Sequence, residues 1–313
     1  MKVLDSKKHE ELNPINISSP LPKMGYASKQ NTLSKSISFK GIGLHTGCKS
    51  RIILHPAPEN TGYLFKLKKG PNSFSNIQGI YSNVSSTILC TTLSNQSGFT
   101  ISTTEHLLSA LYGLEIDNVI IEIAEGNEIP ILDGSAFEFV DGINSCGAEV
   151  QNFSKKLIKI IRDVELTEGD KVIRVSPHNE TFITCEIDFE SKLIGHQSMS
   201  FIINKDIYST QIANARTFGF LEQVESLRKK GLVLGGNLQN AIVISEDKVI
   251  SNDGLRYNDE FVRHKTLDLI GDFSLAGFKI QASIFSYKAG HDLNNKLLKK
   301  IFSSSENWEF LEN

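Results

Sequence analysis

Three things are scarce in this chain: long apolar runs, charge of one sign in excess, and cysteine. No apolar stretch approaches the length of a membrane-spanning helix. Lys and Arg number 33 against 36 Asp and Glu, a formal charge of −3. That balance gives no general electrostatic case for nucleic acid or for an anionic membrane. Local lysine groups, Lys66 with Lys68 and Lys69 or Lys299 with Lys300, read as solvated faces. The four cysteines, at 48, 90, 146 and 185, lack both CxxC spacing and the density of a small secreted scaffold. An even count permits disulfides, but reduced thiols in a cytosolic protein are the simpler reading. Residues 1–34 are rich in Lys, Ser, Asn and Pro; they hold no signal-peptide core and no arginine for an organelle presequence. They read as a flexible N-terminal extension.

What is present is a long chain, 313 residues, with mixed periodicities and room for two cores. Ile37, Phe39, Ile42 and Leu44, then Arg51–Leu54, suggest short strands divided by Gly41, Gly43 and Gly47. Ser102–Gly113 reads as a helix and Asn118–Ile123 as a strand, with a second helix expected over Asp133–Ile143. Lys156–Val164, Lys171–Val175 and Thr181–Phe189 restart a strand-rich pattern, and Asp206–Ala215 reads as helical. Helices and strands alternate without βαβ spacing, which favours an α+β fold over a doubly wound sheet. Asn144–Ser154, weakly patterned, is a candidate linker.

The segment DEFVRHKTLDLIGD carries the first chemistry. If 259–272 is helical, His264 and Asp268 lie four apart on one face. Both are good zinc ligands, and TTEH at 103–106 could bring a third, His106, beside Glu105. Two His and one Asp leave a fourth position for water, whose proton a neighbouring Glu could take, so metal-assisted hydrolysis is one reading. Plainer readings compete with it. A His/Asp pair at this spacing is also an ordinary helix-surface pair, and Ser102-Thr103-Thr104-Glu105 fits a capping box that would use the Glu105 carboxylate on backbone donors. HKTLD is not an HExxH motif, because Lys265 stands where that motif has its base.

GIGLHTG at 41–47, STTEHLLSALYGLEIDNVIIEI at 102–123, EIPILDGSAFEFV at 128–140, NARTFGF at 214–220, FVRHKTLDLIGD at 261–272 and GHDLNNKL at 290–297 occur in this order. Over residues 35–313 the chain resembles the bacterial UDP-3-O-acyl-N-acetylglucosamine deacetylases, the zinc enzymes of lipid A synthesis. The resemblance implies two similarly folded α+β domains, near 35–150 and 155–313, each a sheet packed on helices, with the site between them. An insert that forms an acyl-chain passage matches 217–252; its Leu232, Val233, Leu234, Ala241, Ile242 and Val243 could line a tunnel or form a buried hairpin. The resemblance assigns one catalytic Zn²⁺ to His106, His264 and Asp268, and the general base to Glu105. His291 would be the general acid, oriented by Asp272, with the Thr217 hydroxyl assisting the carbonyl oxygen. Lys265 would pair with developing or substrate charge. Lys171 and Phe189 match positions that hold the nucleotide, and Phe218 a further substrate contact. His45 reads as structural, while His55, His178, His196 and the tail residue His9 match no catalytic role.

These readings lead to the expectation of a cytoplasmic, monomeric amidase that removes acetate from UDP-3-O-acyl-N-acetylglucosamine. Two alternatives stand beside it: a zinc amidase for another acylated sugar, and a nucleotide-sugar binding relative without turnover. Retention of Glu105, His106, Thr217, His264, Asp268, Asp272 and His291 together weighs against the second.

Overall fold

The computed structural model describes residues 28–70 and 73–312. Its two main sheets are five-stranded and share one topology. The first runs in the order Ile37–Ile42, Lys49–Pro56, Val119–Glu125, Tyr63–Gly70, Ser73–Gln78. The second runs Val164–Glu168, Lys171–Ser176, Ser283–Tyr287, Phe182–Asp188, His196–Ile202. In both, the last strand in sequence is central, antiparallel to one neighbour and parallel to the other. Alternation explains the faces: Ser50, Ile52 and Leu54 point inward from one strand, Val119, Ile121 and Ile123 from the next. The duplication is in the connections, not in any repeated residue string.

Each half sends a helix into the central strand and another out of it. Glu105–Gly113 and Phe137–Cys146 flank Val119–Glu125, whereas Glu260–Ser274 and His291–Phe302 flank Ser283–Tyr287. All nine residues of Glu105–Gly113 are buried, and so is every residue of Glu260–Ser274 except Arg263 and Lys265. Helices apolar or enclosed on all sides belong in an interior, and these two pack along each other. Gly271 permits the closeness: a Cβ there would lie 2.1 Å from the Glu105 carbonyl oxygen. One core runs from Ile52 and Leu54 through Leu107, Leu111, Leu267 and Ile270 to Ile173, Val175 and Ile284. The α+β expectation, with two similar domains, holds.

Several local expectations need correction. The sequence pattern places 29–33 in the extension and Asn144–Ser154 in a linker, yet Lys29–Leu33 and Ala148–Ser154 pair as antiparallel strands. The inner strand is polar: Thr32 donates to the Asn118 carbonyl, and Gln30 bonds Asn60, Asn118 and the Ser154 carbonyl. Such side chains hide a strand from an apolar-periodicity reading. Residues 1–27 of the expected extension lie outside the described residues. The helix expected from Asp133 starts at Phe137, because Asp133 instead accepts hydrogen bonds from the Ser135 amide and hydroxyl in a turn. Over Asp206–Ala215 a helical turn at Lys205–Ile207 runs into a π-helical turn at Tyr208–Ile212. All four cysteines are free thiols.

Candidate active site

The helix crossing brings chemistry from both halves to one buried point. His106 Nε2 and His264 Nε2 lie 3.6 Å and 3.5 Å from the same oxygen, Asp268 Oδ1, and one ligand atom from each residue falls within 4.8 Å of the others. The imidazoles meet edge to face at 5.0 Å. Burial, with His264 adding to it, pushes His106 down to about 3; burial also lowers His264. Neutral imidazoles present lone pairs to a metal. His264 Nδ1 meets the Ala215 carbonyl at 3.1 Å, so that nitrogen carries the proton and Nε2 is left as donor atom. Burial would raise the Asp268 carboxyl, but Lys265, His264, His291 and His106 outweigh it and hold it well below the usual carboxylate range. Lys265 Nζ donates to Asp268 Oδ2 at 2.8 Å. Two imidazole nitrogens and one carboxylate oxygen, enclosed and convergent, fit zinc.

Loop anchors set this geometry. Ala215 faces His264 because Arg216 clasps the buried Glu260 through its amide, Nε and Nη2, at 2.9–3.1 Å. On the other side Thr103, β-branched yet at φ 56°, turns the chain into the helix carrying Glu105 and His106. Its hydroxyl donates to Glu128, which also accepts from the His45 amide and from the Thr46 amide and hydroxyl. Gly43 leaves room for that carboxylate, since a Cβ would stand 2.1 Å from Glu128 Oε2.

Glu105 is not a cap. Thr104 makes no side-chain capping bond, the Ser102 amide goes to Asn127, and Glu105 Oε2 accepts from the Thr91 amide at 3.0 Å. Burial raises Glu105 to about 7, with Asp268 and Asp272 adding and His291 opposing. His291 opens its helix at Gly290, where the dipole disfavours a cation. Burial disfavours it too, yet Asp272 Oδ2, 2.8 Å from His291 Nδ1, wins and lifts His291 to about 9. The site therefore pairs a buried carboxylate able to take a proton near neutrality with an imidazolium able to give one.

The sequence model of LpxC, UDP-3-O-acyl N-acetylglycosamine deacetylase, matches residues 30–303. The chain belongs to this family. Among its relatives, the UDP-3-O-acyl-N-acetylglucosamine deacetylases of Pasteurella multocida (strain Pm70) and Haemophilus influenzae (strain PittEE) are each 44% identical over 285 residues, 90% of this chain and 93% of theirs. That of Histophilus somni (strain 129Pt) is 42% identical over the same shares. The family is one of amide hydrolases, and no helix among the described residues is long and apolar enough to cross a membrane.

Thr217 is half-buried, two residues beyond the carbonyl that fixes His264, with its own amide on Gly134. Phe218 packs edge-on to Phe261 at 4.9 Å and lies 6.2 Å from the His264 ring; Phe189 joins it at 5.8 Å. Lys171 is exposed at the turn of a hairpin whose Asp170 is ion-paired with Lys288. In the 217–252 segment, Ile242 is buried beside Phe261 and Val262 in a small sheet, while the amides of Leu234 and Gly235 bond the His45 and Leu44 carbonyls. A cleft at the edge of this segment is lined by Phe189, Phe220, Leu221 and Ile244 together with polar side chains that include Lys192, Glu222 and Asp247, and by none of the six residues expected to line a tunnel. Sequence reading missed Thr91, Glu128, Arg216, Glu260 and Asn294 as site-building residues. Glu128, Arg216, Glu260 and Asn294 lie inside quoted motifs, which was the one signal available for them; Thr91 lies outside every motif and had none.

Proposed function

We propose that this chain hydrolyses the acetamide of UDP-3-O-acyl-N-acetylglucosamine, giving acetate and UDP-3-O-acyl-glucosamine, with zinc held by His106, His264 and Asp268. The observation that carries the reading is convergence: two ligands on one helix and a third from the other half meet beside Glu105 and His291. Zinc bound there supplies Lewis-acid chemistry, easing ionisation of water and negative charge on the amide oxygen.

The chain's own groups do the proton work. The Glu105 carboxylate accepts a proton from the attacking water as oxygen bonds the acetyl carbon. The Thr217 hydroxyl donates to the carbonyl oxygen as its charge grows. His291 then gives a proton to the amine nitrogen as the C–N bond breaks, and Asp272 keeps its ring charged and oriented. Lys265 neutralises part of the Asp268 charge and steadies that ligand. Lys171 and Phe189 meet the nucleotide by charge and by ring contact, with Phe218 beside the reacting sugar. The enzyme works as a cytoplasmic monomer in lipid A synthesis, its two domains spanning about 35–150 and 155–313.

Acetate release tests this reading. The purified chain should deacetylate the 3-O-acylated UDP-sugar far faster than unacylated UDP-N-acetylglucosamine, because the acyl-chain passage that the family resemblance implies would return binding energy only when an acyl chain fills it. Equal rates on both would reject the substrate assignment. No turnover at full zinc occupancy would favour a binding protein.

A further inference from the structure

One buried residue outside every motif touches both halves of the proton machinery. Thr91 is 1% exposed and lies immediately before the short strand Thr92–Ser94, upstream of the helix carrying Glu105. Each of its polar groups is committed. The amide donates to Glu105 Oε2 at 3.0 Å, and the carbonyl accepts from the Thr104 amide at 3.2 Å and the Thr104 hydroxyl at 3.0 Å. The hydroxyl crosses between the domains to donate to Asp272 Oδ1 at 2.6 Å. Asp272 Oδ2 meanwhile takes His291 Nδ1 and Asn294 Nδ2, each at 2.8 Å.

We propose that Thr91 is a positioning residue that couples the base of one domain to the acid of the other, acting on His291 through Asp272. Its side chain has no reaction to perform. Its amide aims the Glu105 carboxylate, and its hydroxyl fixes the rotation of Asp272 and offsets part of the charge that His291 meets. A short hydrogen bond from a hydroxyl to a buried carboxylate is strong and directional, and its loss leaves an oxygen without its donor. Because the two bonds issue from one residue, relative movement of the domains would disturb base and acid together. This deepens the deacetylase reading and rests on it for the roles of Glu105 and His291.

The charged and titratable groups that face His291 are Asp268 and Asp272 from one ligand helix, Glu105 and His106 from the other, and His45 from the glycine-rich loop. Removing the Thr91 hydroxyl changes only what Asp272 presents, so the effect has a sign. Without the donor, Asp272 holds the imidazolium more tightly, and His291 releases its proton at higher pH.

The test is the titration of ring-labelled His291 by NMR in the zinc-loaded full chain, alongside steady-state rates, zinc content and denaturant unfolding. Thr91→Val keeps the shape and both backbone contacts. It should raise the His291 midpoint by about 0.5–1 unit and lower kcat about tenfold, with zinc retained. Thr91→Ser keeps the hydroxyl but loses the methyl, and should titrate as the parent does. In an Asp272→Asn background Thr91→Val should produce no further shift, since the two act in series. An unshifted His291 in Thr91→Val, a Thr91→Ser shift of equal size, or an undiminished Thr91→Val effect beside Asp272→Asn would each overturn the proposal. The titration needs no turnover, so failure of the substrate reading shows separately as a zinc-loaded parent that releases no acetate.

Discussion

The two halves use one strand order to deliver different chemistry by different means. In the first, the helix entering the central strand contributes only its opening pair, Glu105 and His106, aimed by a strained turn at Thr103. In the second, His264, Asp268 and Asp272 recur at four-residue steps along one face of a longer helix, so the helix itself sets their spacing. The helix leaving the central strand begins at Phe137, 46% exposed, in one half and at His291, beside Asp272, in the other. Even the anchors differ. Glu128 holds its loop through uncharged donors, whereas Glu260 holds its own through the Arg216 cation. A duplicated frame thus fixes where two helices cross, and local devices decide what each brings there.

The largest effect should separate base from ligand within the first half. Glu105→Gln removes a proton acceptor, not a zinc donor, so turnover should fall roughly 10³–10⁴-fold while zinc stays bound. Loss of zinc in that variant, measured by metal analysis, would erase the distinction between Glu105 and its neighbour His106.

Next come the anchors. Glu260→Ala would strand the Arg216 charge in the interior and should cost about 3–5 kcal/mol in denaturant unfolding. Glu128→Ala strands neutral donors only and should cost less, on the order of 2 kcal/mol. Equal costs would break the comparison between a charged and an uncharged clasp.

A smaller effect concerns His291, the group present in only one half. His291→Gln should lower turnover about a hundredfold and remove the alkaline fall in rate. In the parent that fall should accompany loss of the His291 proton as pH rises through about 9. The same shift ties stability to pH. Because the folded value lies above the ordinary 6.5, its contribution to stability is fully present below pH 6.5 and is lost as pH rises through about 9. An alkaline limb unchanged in His291→Gln would assign it to another group.

Sequence alone made the second half's contribution the easier to read. Four-residue spacing places His264 and Asp268 on one face before any fold is known, and family likeness added Asp272 and His291. The first half is harder, because Glu105 fits a capping box until the Thr91 amide is seen to occupy its carboxylate. Thr91 was invisible, since its meaning depends on meeting residue 272 across the domain boundary. The strand Lys29–Leu33 escaped because its inward side chains include Gln30 and Thr32, satisfied by hydrogen bonds instead of apolar contacts. The duplicated topology escaped for a related reason: strand order is set by which edges meet, and alternating patterns look alike whichever neighbour they find.

Zinc content in single ligand variants tests most directly the claim that one metal site is shared between the two halves. After dialysis against a weak chelator, the parent chain should retain stoichiometric zinc. Removal of a ligand from either side, by His106→Ala from the first half or by His264→Ala or Asp268→Ala from the second, should release it while the chain remains folded. Full zinc retention in His264→Ala and Asp268→Ala would contradict the account.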